Sequence, residues 1–84
     1  MEKKRYRVTV TVGGENYTIM GDSSPERVQK VAALFDEKLR QTERAYPSLS
    51  PAKAAVLTGL NLTDEYLRIQ EDYQQLLTMV KQVR

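Results

Sequence analysis

Apolar residues recur at heptad spacing from Pro51 to Arg84, a segment with no later proline and one glycine, Gly59. Steps of four and three residues alternate along this stripe, which is the a/d pattern of a coiled coil. The stripe comprises Ala55, Gly59, Leu62, Tyr66, Ile69, Tyr73, Leu76, Val80 and Val83. At ~1.5 Å per residue the helix is roughly 50 Å long. In an 84-residue chain too little remains to cover it, so we expect a partner, most simply a second copy.

The N-terminal part alternates apolar and polar residues with the period of a β-strand. One strand is predicted over 6–12 and another over 16–20, with Tyr17 and Ile19 on the apolar face of the second. Gly13-Gly14 predicts the turn between them. Either a two-residue loop sets Val10 opposite Tyr17, or a four-residue loop sets Val12 opposite Tyr17. Both registers keep the apolar faces together, and we expect this face to pack on the helices.

Serine-proline pairs predict the start of two helices. For the first helix the N-cap is either Ser24, which puts Pro25 at the first helical position, or Ser23, which forms a capping box with Glu26 three residues later. This helix runs to about Ala45, and its apolar stripe comprises Val28, Val31, Ala32, Phe35 and Leu39. Ser50-Pro51 repeats the signal and starts the second helix.

These elements predict an α+β fold in a single domain, a small ββα head followed by a long C-terminal coiled-coil helix. The head covers 1–50 and the oligomerisation helix covers 51–84. The apolar arc of this helix is wide at first and narrows beyond Asp64. We therefore expect 51–62 to pack on the hairpin and first helix, and 63–84 to leave the head as an arm. The small residues Ala55 and Gly59 suggest the close approach of another backbone.

Composition argues against an enzyme. The chain has no cysteine and no histidine, which removes thiolate chemistry and the commonest general base and metal ligand. The adjacent acidic pairs of the second helix, Asp64-Glu65 and Glu71-Asp72, point ~100° apart and do not converge. No long apolar run indicates a signal peptide or a membrane span. We expect a cytoplasmic protein without metal or cofactor.

The net charge of +2 is concentrated near the N-terminus, in the segment Lys3 to Arg7. The segment from Pro51 onward is neutral, with four basic and four acidic residues. The basic cluster is interpreted as a solubilising tail beside an edge strand. The alternative is a homodimeric nucleic-acid-binding module that uses the basic hairpin. A leucine-zipper DNA-binding protein is excluded, because that class needs a basic helix that continues directly into the coiled coil. Here the corresponding segment, Pro51 to Asn61, contains Lys53 as its one basic residue.

Two tyrosines in the stripe, Tyr66 and Tyr73, are unusual for a two-stranded coil. One interpretation is an imperfect short coil whose phenols reach solvent. The other is a broader four-helix assembly that buries the rings and hydrogen-bonds the hydroxyls at its edge.

The chain resembles the ZapA family of bacterial cell-division proteins over nearly its whole length. The resemblance lies in the strand, the glycine turn followed by Tyr17, and Val31-Ala32 followed by Asp36-Glu37-Lys38. Its most specific part is the run from Lys53 to Tyr66, KAAVLTGLNLTDEY. It implies a ββα head and a long helix through which members form dimers, which can pair into tetramers.

The resemblance also implies a function. Family members are not enzymes; they bind the tubulin-like division GTPase FtsZ and cross-link its protofilaments, which promotes the cytokinetic ring at the septum. Charged head residues are implicated in FtsZ binding. By position these fall on Glu15 and Thr18 in the hairpin, where some relatives carry arginine, and on Lys38, with Arg40 and Arg44 nearby.

Overall fold

A computed structural model describes residues 4–82 and contains two strands followed by two helices. The strands β1 and β2 span Tyr6–Val12 and Glu15–Gly21, and the helices α1 and α2 span Pro25–Ala45 and Pro51–Gln82. The predicted α+β fold, a ββα head followed by a long helix, is confirmed.

The hairpin adopts the shorter of the two predicted loops. Val12 pairs with Glu15, and Val10 lies opposite Tyr17 in an uninterrupted antiparallel ladder. The turn residues Gly13 and Gly14 have φ values of 60° and 83°. Both values lie in the left-handed region that glycine enters without steric cost, and two such residues form the tight turn whose twist matches the strands.

Both helices begin at the predicted serine-proline pairs. The Ser24 Oγ accepts a hydrogen bond from the Arg27 N–H at 3.2 Å, so Ser24, and not Ser23, is the cap of α1. Ser50 Oγ accepts from the Lys53 N–H at 3.3 Å at the start of α2. These oxygens satisfy main-chain donors that have no partner within the first turn.

The head core lies between β1 and α1. Val8, Val10 and Ala32 are buried there, and the partly buried Tyr6, Val12 and Val28 pack around them. Two hydrogen bonds from outside the core fix the hairpin on the helix. Gly13 N–H donates to Asp36 Oδ1 at 2.9 Å, and Gln29 Nε2 donates to the Thr9 carbonyl at 3.0 Å.

A pair of buried threonines joins α1 to α2. Thr58 is 1% exposed and Thr42 is 7% exposed, and their hydroxyl oxygens lie 2.7 Å apart. Thr58 Oγ1 also lies 2.8 Å from the Ala54 carbonyl, and Thr42 Oγ1 lies 3.2 Å from the Lys38 carbonyl. Each hydroxyl has one proton, so two arrangements are possible. Either Thr58 donates to Thr42, which donates to the Lys38 carbonyl, or Thr42 donates to Thr58, which donates to the Ala54 carbonyl.

The start of α2 is less buried than its sequence predicts. We expected this segment to pack on both the hairpin and α1, but among the described residues α2 packs on α1 and not on the strands. Val56 and Leu60 are each 63% exposed. The physical reason is that α1 already covers the inner face of β1, which leaves α2 one neighbour and therefore one buried face.

Replacing Thr58 by valine tests the joint between the helices. Thr58→Val keeps the shape of the side chain and removes the hydroxyl pair, so we expect a loss of about 1 kcal/mol in the free energy of unfolding. Urea titrations at equal protein concentration measure it, since an oligomer's stability depends on concentration.

Thr63→Val is the matched control. Thr63 makes the same type of bond to a carbonyl of the preceding turn, at 2.8 Å to Gly59, but it is exposed and bonds no other helix. We expect this control to change stability by less than about 0.5 kcal/mol. Equal losses in the two variants would contradict a special role for the buried pair.

Candidate functional site

The heptad stripe of α2 is exposed along the arm. Tyr66, Ile69, Tyr73, Leu76 and Val80 are between 56% and 66% exposed. Every described residue from 63 to 82 is exposed, so no other part of residues 4–82 covers them. A row of large apolar side chains on one face of a surface helix is typical of an association surface. Val83, the last member of the predicted stripe, lies outside the described residues.

The first two members of the stripe lie beside the head. Ala55 and Gly59 are partly buried, and a methyl group added at Gly59 would meet no described atom within 4 Å outside its own stretch of helix. Packing among the described residues therefore does not require glycine at this position. The predicted close approach of another backbone stays a prediction.

One of the two stripe tyrosines has a partner on its own helix. Gln70 Nε2 donates to the Tyr66 hydroxyl at 2.9 Å. This hydrogen bond holds the phenol oxygen at the edge of the stripe, so the ring can be buried by a neighbouring helix without leaving its hydroxyl unsatisfied.

A second, shorter apolar strip flanks the stripe on α2. Val56 and Leu60 are each 63% exposed, and Leu67 is 50% exposed. These residues lie four and seven positions apart, so they share one side of the helix. The opposite flank carries Thr58, Asn61, Glu65 and Arg68. The apolar surface of the helix therefore widens toward one side only.

Two of the three predicted basic positions on α1 are held in ion pairs. Lys38 Nζ lies 3.7 Å from Glu65 Oε1 on α2, and Arg40 Nη2 lies 3.0 Å from Asp36 Oδ2 on its own helix. Arg44 is in the last turn of α1 and is exposed, and no ion pair holds it within residues 4–82. Arg40 and Arg44 share a helix face, whereas Lys38 is turned toward α2.

The predicted hairpin positions are engaged within the hairpin. Glu15 Oε2 accepts a hydrogen bond from the Tyr17 hydroxyl at 3.0 Å, and the Thr18 and Thr9 hydroxyls lie 3.3 Å apart. The hydrogen bond to Glu15, together with its negative charge, raises the pKa of Tyr17. Glu15 and Thr18 lie on opposite faces of the strand. The two side chains therefore do not form a single cluster with the basic residues of α1.

The outer face of the hairpin gives little support to nucleic-acid binding. Its described side chains are Arg7, Thr9, Thr11, Asn16, Thr18 and Met20. Arg7 is the one cation in this set, and its guanidinium Nη2 contacts the Met20 sulfur at 3.9 Å. Lys3, part of the predicted basic cluster, lies outside the described residues.

An apolar groove of about 940 Å³ between β2, α1 and the start of α2 was not predicted. Its walls include Tyr17, Ile19, Val31, Phe35, Pro51 and Ala55. We expected the apolar faces of the hairpin and α1 to bury each other, but Tyr17, Ile19 and Val31 remain 49%, 43% and 56% exposed. The sequence did contain a signal: the apolar stripe of α1 is wider than one strand can cover.

Comparison with known proteins identifies the family. The family model described as "Cell division protein ZapA" matches residues 8–84. The chain belongs to the ZapA family. A ZapA of Geobacillus sp. (strain WCH70) is 38% identical over 76 residues, which cover 90% of this chain and 87% of that protein. The ZapA of Geobacillus kaustophilus (strain HTA426) is 40% identical over 75 residues, covering 89% and 82%.

A solved ZapA structure shares the fold. The ZapA mutant dimer from Geobacillus stearothermophilus superposes with a TM-score of 0.75 and 39% identity, covering 95% of this chain and 93% of that one. The ZapA family comprises cell-division proteins and not enzymes, as the sequence predicted. Within residues 4–82 no helix is long and apolar enough to cross a membrane.

The hydrogen bond between Tyr17 and Glu15 gives a test by titration. Glu15→Gln removes the carboxylate charge that disfavours the tyrosinate, so the pKa of Tyr17 should fall toward its usual value. The stabilisation from a raised pKa is present at neutral pH and is lost as pH rises through the folded-state pKa.

The measurement is an ultraviolet titration of tyrosinate in the Glu15→Gln variant and the parent protein. Thr18→Val serves as the control, because it alters the opposite face of the same strand. A Tyr17 pKa that is equal in all three proteins would contradict the hydrogen bond.

Proposed function

We propose that this ZapA-family protein oligomerises through α2 and cross-links FtsZ protofilaments, promoting ring assembly at the division septum. The exposed stripe of α2 supports the proposal most directly, because it is an association surface that no described part of the protomer covers. The dimeric state of the solved relative points the same way. The mechanism is geometric: each head binds a filament weakly, and the joined arms bring two or more heads together.

Association through the stripe is favoured by the area it would bury. Each large apolar side chain contributes roughly 1.5–3 kcal/mol when it passes from water into a packed interface. Five such residues on each of two arms offset what joining two chains costs in lost freedom, which is of the order of 4–15 kcal/mol. The same contacts would also stabilise the arm, because an isolated helix is marginal in water.

The flanking strip favours an assembly broader than two helices. A two-stranded coil covers the a/d stripe but leaves Val56, Leu60 and Leu67 largely in water. In a four-helix arrangement each helix has two neighbours, so both the heptad stripe and the flanking strip of α2 would be covered. This arrangement would also bury the ring of Tyr66 with its hydroxyl already bonded to Gln70. On this basis we propose a dimer that can pair into a tetramer.

Weak contacts by each head are sufficient for bundling. Linking two heads turns the second binding event into an intramolecular one, which can raise the overall affinity by roughly 10²–10⁴. Of the predicted positions, Arg44 is the best placed for an acidic filament surface, because its charge is exposed and unpaired among the described residues. Lys38 and Arg40 would first have to leave Glu65 and Asp36.

Placing a charge in the middle of the stripe tests the oligomer. Ile69→Glu would bury a carboxylate in each joined arm, a cost of several kcal/mol, so we expect the protein to dissociate to monomers. Light scattering measures the mass, and circular dichroism checks that the head stays folded. Sedimentation with polymerised FtsZ should show that bundling is lost.

Gln75→Glu is the control for this change, since it adds the same charge off the stripe. It should keep both the oligomer and the bundling activity. If Ile69→Glu keeps the mass of the parent protein, the stripe is not the interface. If the parent protein neither sediments with FtsZ nor increases light scattering, the proposed function is wrong.

Reversing the charge of Arg44 tests the filament contact. We expect Arg44→Glu to weaken co-sedimentation with FtsZ roughly tenfold, about 1.4 kcal/mol, while the oligomer keeps its mass. Arg68→Glu changes the net charge equally but lies on the arm, where Arg68 pairs with Asp64 at 3.1 Å. Equal losses in both variants would point to a general charge effect instead of a site at Arg44.

A further inference from the structure

The helix α2 contains one glycine, Gly59, and neither its backbone nor its surroundings explain it. In the interior of a helix glycine is less favourable than every residue except proline. The φ of Gly59 is not positive, since among the described residues Gly13 and Gly14 alone have positive values. A methyl group at this position would meet no described atom within 4 Å outside its own stretch of helix. The glycine therefore weakens the helix without any gain in packing within the described protomer.

Gly59 lies at the boundary between the packed and the exposed parts of α2. Ala54 and Thr58 are the buried residues of this helix, and both precede Gly59. Leu62 is partly buried, and every described residue from 63 onward is exposed. The first turns are held against α1, whereas the arm has no such support. A change of direction at Gly59 can therefore move the arm without separating the buried residues.

The neighbouring threonines weaken α2 at the same point. Thr58 Oγ1 lies 2.8 Å from the Ala54 carbonyl, and Thr63 Oγ1 donates to the Gly59 carbonyl at 2.8 Å. Hydroxyls bonded in this way to the preceding turn often bend a helix. The Thr63 hydroxyl also keeps the Gly59 carbonyl hydrogen-bonded if the main-chain bond to that carbonyl lengthens. Because Thr63 is exposed, water can then satisfy its N–H.

An ion pair reaches across this weak point. Lys38 Nζ on α1 lies 3.7 Å from Glu65 Oε1, so the pair ties the head to the arm beyond Gly59. The two side chains are 33% and 51% exposed. An attraction this open to solvent is screened by salt and is a weak restraint. It can hold the arm in one direction and can open while the head stays folded.

We propose that Gly59 is a hinge between the head and the arm, and that the ion pair between Lys38 and Glu65 is the latch that holds it in the observed direction. The hydroxyl pair of Thr42 and Thr58 is the fixed side of the hinge, since it is buried and lies before Gly59. With the latch open, the arm swings about Gly59 while the joint between α1 and the first turns of α2 stays closed.

A hinge at this point suits a protein that must reach two binding sites at once. Two heads on rigid arms gain affinity only where both can reach their sites together, and the gain is lost where the geometry forbids it. A hinged arm lets the second head reach sites over a range of angles. This consequence rests on the proposed function, whereas the hinge is a property of one protomer and does not.

The distance between two spin labels tests the hinge directly. The chain has no cysteine, so Lys30→Cys on α1 and Lys81→Cys near the end of the arm supply the two labelling sites, both exposed. Equilibration with a large excess of unlabelled protein of the same background leaves the distance within one protomer as the one measured. We expect a broad distribution, which Gly59→Ala narrows roughly twofold because alanine favours the helix. Thr78→Ala, further along the arm, should leave the width unchanged.

The same labels test the latch. Glu65→Gln removes the charge that attracts Lys38, and ~1 M salt shortens the screening length to about 3 Å. Each change should shift and widen the distribution. Glu71→Gln is the matched control, because it removes an equal charge from an exposed position that makes no ion pair within residues 4–82. This control should leave the distribution as it is in the parent protein.

Amide exchange gives a second readout without labels. The helical preference of alanine over glycine corresponds to roughly a fivefold change in a local opening equilibrium. We therefore expect the Thr63 amide, in the turn after the hinge, to exchange roughly fivefold more slowly in Gly59→Ala. The Thr78 amide, near the end of the arm, should exchange at the same rate in both proteins.

The possible outcomes are distinct. A narrow distribution that Gly59→Ala does not change overturns the hinge. A lower mass of Gly59→Ala in light scattering also overturns it, since the glycine would then serve the close approach of another chain. An unchanged distribution in Glu65→Gln overturns the latch. A protein that does not bundle FtsZ contradicts the proposed function but not the hinge, which is measured within a single protomer.

Discussion

The structure depends on how few residues of its longest helix, α2, are buried against the rest of the same chain. Of the 32 residues of α2, Ala54 and Thr58 alone are buried, both against α1. The helix α1 is thus the centre of the protomer, with the hairpin on one side and the first turns of α2 on another. Everything beyond those turns is an exposed helix, and such a helix becomes stable mainly through tertiary or intermolecular packing.

Local chemistry made most of the fold predictable from the sequence. Gly13-Gly14 allows two consecutive left-handed residues, and the serine-proline pairs fix the first turn of each helix. These signals act over a few residues and need no knowledge of the packing. The heptad stripe could also be predicted from the sequence, because residues at this spacing share one face of a helix whether or not a partner covers that face.

The remaining features depend on how the elements meet, which no local pattern records. Thr58 and Thr63 look alike in the sequence, yet one is buried against α1 and the other is in water. The groove arose because α1 covers β1 and leaves β2 uncovered, although both strands carry apolar residues on the same face. In the candidate site, positions such as Lys38 could be identified by resemblance, but its ion pair with Glu65 follows from the crossing of two helices.

The heptad stripe also gives the arm an adjustable length. The pattern repeats every seven residues, so adding or removing seven residues beyond the head would lengthen or shorten the arm by ~10 Å and keep its apolar face aligned. A single added residue would instead rotate everything beyond it by ~100° and break the face. Since the serine-proline start and the threonine pair fix the other end, the span of the arm could diverge between relatives in whole heptads while the head stays unchanged.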